Sequence, residues 1–280
     1  MNSKKSLATI GLVFITLLAS LQYIFLGNVP DTVSTFSFVC VTNVIGLVLL
    51  FVFRSKRILS AGKTTVKKGA FFALLLTGFN FFLLLGSNHM ESIVVSSVVS
   101  LYFVFVTPML LLLRRHVNFF SSIATAMATI ALLLMFGGNA EALFSSSNVI
   151  YLVIGDICFA AYVVSVSVLG EGEDSAALAF FQMCFASLFS LAGWAVEAMS
   201  GKAAFSLPSD TRFWISAVFI GVFIRAVYGL LQITCQKHVS AMSASLIFST
   251  EIIMTMLMEP VMTRLLGTRY VPPTLFQIIG

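Results

Sequence analysis

From residue 6 to residue 30 the chain carries no charged side chain. An apolar run of about 20 residues is what an α-helix needs to cross the hydrocarbon core of a bilayer. Runs of that kind recur near 7–27, 34–53, 69–88, 93–113, 119–137, 148–169, 176–199, 213–236 and 241–263. The joints between them carry turn or charge signals such as "GNVPD", "RSKR", "RRHVN", "EGEDS" and "QKHVS". A tenth run, "TLFQIIG", begins before Gly280 and is too short to span. With 59% hydrophobic and 10% charged residues, against about 25% charged in a soluble domain, the chain cannot cover a water-facing surface. The pattern predicts an all-α polytopic membrane protein, with the first run a true span rather than a signal peptide.

Loop charges set the expected orientation. Alternate loops from the N-terminus carry Lys4, Lys5, Arg54, Lys56, Arg57, Lys63, Lys67, Lys68, Arg114, Arg115 and Lys237, while the other set carries Lys202, Arg212, Arg264 and Arg269. That asymmetry predicts a cytoplasmic N-terminus in a plasma (inner) membrane. Because the basic residues sit in short loops, the net charge of +5 reports topology and not a nucleic-acid partner. The four cysteines lie inside apolar segments with no C-x-x-C pair, so neither disulfides nor a metal site is expected, and no cofactor is called for.

An internal echo organises the chain. "HMESIVVSSVVSLY" (89–102) and "HVSAMSASLIFSTE" (238–251) align with His89 on His238, Ser96 on Ser245 and Ser100 on Ser249. Each opens the fourth helix of a five-helix half, and an odd number of spans per half forces the halves into opposite orientations. The expected plan is a ten-helix bundle of two inverted five-helix repeats, 1–140 and 141–280, with the tenth helix cut short. Inverted repeats are common among secondary transporters, whose sites lie near the midplane. The segments "QKHVSAMSASLIFSTEIIMTMLMEPVMTRLLG" (236–267), "PPTLFQIIG" (272–280) and "NHMESIVVSSVVSLYFVFVTPMLLLLRR" (88–115) resemble the EamA-like family of the drug/metabolite transporter superfamily. Where that family often has proline directly after the glutamate, this chain has Ile252, with Pro260 later. The resemblance implies a ten-helix carrier of small polar metabolites, often an exporter of amino acids, with no catalytic residue.

Three charged residues lie deep in spans: Asp156, Arg225 and Glu251. Each costs roughly 2.5–3.5 kcal/mol at a helix centre, so each is expected to face the bundle interior. Arg225 and Glu251 fall near the midplane by helical rise, where an ion pair between them is geometrically easy. Gly221, Arg225 and Gly229 share an α-helical face, and Gln232 and Gln236 continue it. Arg225 is the candidate fork for a substrate carboxylate, with Glu251 balancing it or carrying a proton; a structural ion pair is the competing reading. Gln22, Asn43, Asn80 and Tyr102 are further candidates for the cavity wall, and Phe159, Tyr162 and Tyr228 for its aromatic part. Pro108 and Pro260 are expected to kink their helices. There is no G-x-x-x-x-G-K, H-E-x-x-H or G-x-S-x-G segment, so direct ATP drive and hydrolase chemistry are not indicated. A receptor or assembly protein without transport, or a carrier of drugs, nucleosides or sugar derivatives, are the alternatives. The mixed charges favour a zwitterionic, amino-acid-like substrate, with protons as a second partner.

Overall fold

Serine and threonine hydroxyls, more than proline, decide where the apolar helices of this protein break. The computed structural model describes residues 3–115, apart from 31, 88, 89 and 91, scattered positions between 119 and 130, and residues 147–267. Its helices are α1 (Ser3–Leu26), α2 (Thr35–Leu59), α3 (Lys63–Ser87), α4 (Ser92–Val99), α5 (Tyr102–Leu112), α6 (Ser147–Leu169) and α7 (Ser175–Met199). Next come α8 (Thr211–Phe219), a π-helical segment (Ile220–Tyr228), α9 (Gly229–Gln236), α10 (Ala241–Ser249) and α11 (Glu251–Leu266). Among the described residues there is no strand, and eight helices or helix stacks are long and apolar enough to cross a membrane. Eight of the nine predicted spans correspond to these. The fifth, 119–137, is described only at scattered positions, and the beginning of a tenth falls outside the described residues.

Local chemistry explains several ends. Ser34 caps α2 by accepting from the Ser37 amide (3.2 Å) and also donates to the Glu197 carboxylate at the end of α7. Asp174 caps α7 by accepting from the amides of Ala176 (2.9 Å) and Ala177 (3.0 Å). Gly267 closes α11 at φ 68°, a left-handed conformation that suits glycine.

The fourth predicted span is two helices, α4 and α5, and the last described span is also two, α10 and α11. An offset of 149 residues carries Ser92 onto Ala241 and Tyr102 onto Glu251, so both helix starts coincide. Around the first break the Ser96 carbonyl accepts both the Ser100 amide (3.0 Å) and the Ser100 hydroxyl (2.8 Å). Around the second, Ser249 and Thr250 donate to the carbonyls of Leu246 (2.8 Å) and Ile247 (2.7 Å). Such back-bonding competes with the helical ladder and bends it. Pro108 and Pro260 sit inside α5 and α11, away from the interruptions.

The helices of the first and second halves interleave. α3 packs on α6 and α7, α2 on α7 and the π segment, and α1 on α11 and α9. Glycines permit the closest approach: a Cβ on Gly221 would stand 2.7 Å from the Ile45 Cβ, and one on Gly46 would stand 2.6 Å from the Arg225 Cβ. The outer surface is apolar, with Leu7, Phe53, Leu74, Val196 and Leu265 exposed, as a lipid-facing surface should be.

Candidate functional site

The helix around Arg225 is wound differently from its neighbours. Over Ile220–Tyr228 the backbone follows a π-helix, whose wider turn is rare and concentrates at functional positions. The turn sets Arg225 against α2 and α3, where its Nη1 donates to the Asn80 Oδ1 (2.8 Å) and its Nε to the Thr42 Oγ1 (3.4 Å). Asn80 is oriented in turn by donating to the Leu76 carbonyl (2.7 Å). Thr42 donates to the Val39 carbonyl (3.0 Å). A guanidinium has five N–H donors, and these two neutral acceptors occupy only part of the fork.

Glu251 is the first residue of α11, directly after the second break, and borders the cavity together with Tyr23 of α1. Among the described residues it makes no ion pair with Arg225, and the expected Arg225–Glu251 bridge is corrected accordingly. The reason is packing: the π segment lies chiefly on α2, with Arg225 reaching Asn80 of α3, whereas α11 lies chiefly on α1. The two side chains therefore face one central cavity from different walls.

That cavity is bordered by Gln22 and Tyr23 of α1, Asn43 of α2, Asn80 of α3, and Phe159 and Tyr162 of α6. Gln182 of α7, Arg225 and Tyr228 of the π segment, Gln232 of α9 and Glu251 complete its polar lining. Its free volume is about 30 Å³, room for one or two waters. Nothing larger than water fits unless the walls part. Asn43 and Gln182 are fully buried, and neither atom of either amide has a hydrogen-bond partner among the described residues. Leaving such groups unmet costs about 1–3 kcal/mol each, which a ligand or water in the cavity would offset.

Of the residues singled out from sequence, Gln22, Asn43, Asn80, Phe159, Tyr162, Arg225, Tyr228 and Glu251 border the cavity. Tyr102 lies behind it, donating to the Ser245 carbonyl (3.2 Å) and meeting the Phe159 ring edge-on at 4.8 Å. Asp156 is wholly buried off the cavity wall, and neither carboxylate oxygen has a hydrogen-bond partner among the described residues. Thr42, Gly46 and Gln182 were not singled out. Their signal is weak, since a threonine, a glycine and a glutamine in apolar runs read equally well as packing. Gly221 serves close approach to α2, whereas Gly229 does border the cavity.

A second polar cluster closes one end of the bundle. Glu173, in the α6–α7 loop, accepts from Lys68 (2.8 Å) and Thr65 of α3, while Lys237 donates to its backbone carbonyl. The hydrogen bond from Lys68, then that from Thr65, holds the Glu173 carboxyl below its ordinary range. Burial lowers the Lys237 ammonium from its usual value. Arg57 reaches Asp174 at 3.4 Å on an exposed flank.

Residues 146–270 match the model of the EamA-like transporter family, part of the drug/metabolite transporter superfamily. No curated protein matches the chain. A solved crystal structure superposes over 100% of this chain and 93% of its own with a TM-score of 0.70, at 12% sequence identity, and so shares its fold.

Proposed function

We propose, since residues 146–270 match the model of the EamA-like transporter family, that this multi-pass membrane protein is a secondary carrier of small amino-acid-like metabolites. It works as an exporter or exchanger by alternating access around the central cavity. The observation that carries the substrate class is the cavity's division of labour. Arg225 offers unspent donors on one wall, Glu251 a carboxyl on another, and Asn43 and Gln182 unmet amides between. A zwitterion needs one cationic and one anionic contact, and its carboxylate suits a guanidinium fork.

The matched breaks at Ser100–Leu101 and Thr250 support a repeated architecture in which 1–140 and 141–280 are inverted five-helix halves. Interrupted helices in corresponding positions of two halves are the usual hallmark of a transporter site. The narrow cavity fits a carrier caught shut, and the Lys68–Glu173–Lys237 cluster is the closure at the end that loop charge makes cytoplasmic, with the N-terminus on that side of the plasma membrane. In this reading Asp156 and Tyr102 support the site from behind.

Ligand-induced thermal stabilisation of the purified protein tests the class. Neutral amino acids should raise the melting temperature, while the matching amines and carboxylic acids should do so weakly. Equal stabilisation by an amine that lacks the carboxylate would refute the role given to Arg225.

A further inference from the structure

A larger hollow than the central cavity opens on the outer face of the bundle. Gly46 and Gly221 let α2 and the π segment approach closely at one level, where neither glycine leaves room for a Cβ. Beyond that level the pair opens into a groove, because α2 packs along the π segment far more than on α9. The groove has a free volume of about 440 Å³, against about 30 Å³ for the central cavity. Leu49 and Phe53 of α2, Val222 and Val227 of the π segment and Leu230 of α9 line it. Among the described residues Arg54 of α2 is its one ionisable lining residue.

Arg54 is set apart from its surroundings. It is exposed, and α2 kinks there (φ −134°, ψ 17°). Among the described residues no ion pair or hydrogen bond engages its guanidinium. Arg57, three residues on, is by contrast paired with Asp174 at 3.4 Å. Phe53, beside Arg54, is 75% exposed on the apolar outer surface. The groove thus joins a long apolar slot to a free cation, with no acid on its walls to receive the amine of a zwitterionic headgroup. A guanidinium fork suits a phosphate, and an apolar slot facing the bilayer suits an acyl chain.

We propose that this groove is a binding site for an anionic phospholipid. One acyl chain lies between α2 and the π segment, and the phosphate accepts hydrogen bonds from Arg54. Basic residues at the end of a span attract the anionic lipids of the cytoplasmic leaflet, and Arg54 stands at the end that loop charge makes cytoplasmic. The site also touches the carrier's working parts. Ala226 lines the groove and Arg225, the residue before it, lines the central cavity. The same π turn is therefore the partition between lipid and cavity. An unfilled groove forfeits the dispersion contacts of its walls, so a bound chain stabilises that partition from outside. The lipid site stands or falls apart from the identity of the substrate.

Native mass spectrometry of the full chain tests the site, with phosphatidylglycerol or phosphatidylcholine of matched acyl chains added in detergent. The wild type should retain phosphatidylglycerol about fivefold better, the factor expected of one basic side chain at an anionic surface. Arg54→Gln should bring phosphatidylglycerol down to the phosphatidylcholine level and leave the latter unchanged. Arg54 is exposed, and Lys56 and Arg57 keep the loop basic, so fold and topology should survive the change. Val227→Trp, which fills the groove, should lower retention of both lipids. Thermal unfolding is the second readout: phosphatidylglycerol should raise the melting temperature of the wild type and not that of Arg54→Gln. Equal retention of the two lipids by the wild type, or a phosphatidylglycerol preference that survives Arg54→Gln, overturns the site. A dimer that Val227→Trp dissociates into monomers would give the groove to a second copy of the chain and overturn it as well.

Discussion

The α4–α5 and α10–α11 stacks are built alike and armed differently. Both break after a serine-rich turn at positions 149 residues apart, and both resume with a residue at the heart of the molecule. After the first break that residue is Tyr102, neutral, buried and tied to the Ser245 carbonyl of the other stack. After the second it is Glu251, an acid on the cavity wall. The difference is that two stacks interrupted at equivalent positions carry a buried neutral hydroxyl in one case and a cavity-lining acid in the other.

The comparison breaks most visibly if the two post-break residues prove interchangeable. Glu251→Gln should lower amino-acid exchange at least tenfold, while Tyr102→Phe should leave it within about threefold, since a membrane hydrogen bond is worth about 0.6 kcal/mol. Paired exchange assays read both. Next in size is Gly46→Val. Its side chain would press on Arg225 and on the Gly221 carbonyl, 3.1 Å from the Cβ position. Overpacking of that kind costs about 1–3 kcal/mol, which denaturant unfolding in detergent would register, with weakened substrate binding alongside.

Asn43→Leu sharpens the contrast between support and chemistry. It removes a buried amide with no partner, so stability should hold or rise, while substrate affinity should fall about tenfold if one hydrogen bond is lost. Thermal unfolding and ligand titration together decide it. The smallest effect belongs to Glu173, far from the cavity. Its carboxyl is held below the ordinary range by Lys68 and Thr65, so its stabilising contribution is present above that range. It fades as pH falls through the depressed value. The melting-temperature gap between wild type and Glu173→Gln should therefore close in acid.

Much of this was legible in the chain itself. Apolar length gave eight of the described spans, and the echo of "SSVVSLY" (96–102) in "SLIFSTE" (245–251) marked the positions where the helices later break. Deep polar residues pointed to the cavity because burying them is costly wherever they sit. What eluded the sequence was direction. Nothing in "IGVFIRAVY" announces a π turn, and a straight α-helix would aim Arg225 elsewhere, which is why an Arg225–Glu251 pair looked natural. Thr42 and Gly46 matter because the π segment leans on them, a property of packing and not of residue type. Breaks set by hydroxyls rather than by Pro108 or Pro260 likewise depend on which carbonyls the serines reach.

The measurement that bears most directly on the account is counterflow in proteoliposomes preloaded with unlabelled amino acids, comparing wild type with Arg225→Ala. Saturable tracer accumulation in the wild type, reduced about thirtyfold or more in a variant that stays folded and monodisperse, is the predicted result; losing one partner of a buried charged contact costs about 2–5 kcal/mol. Accumulation that survives Arg225→Ala unchanged would contradict the carboxylate site at the centre of the bundle.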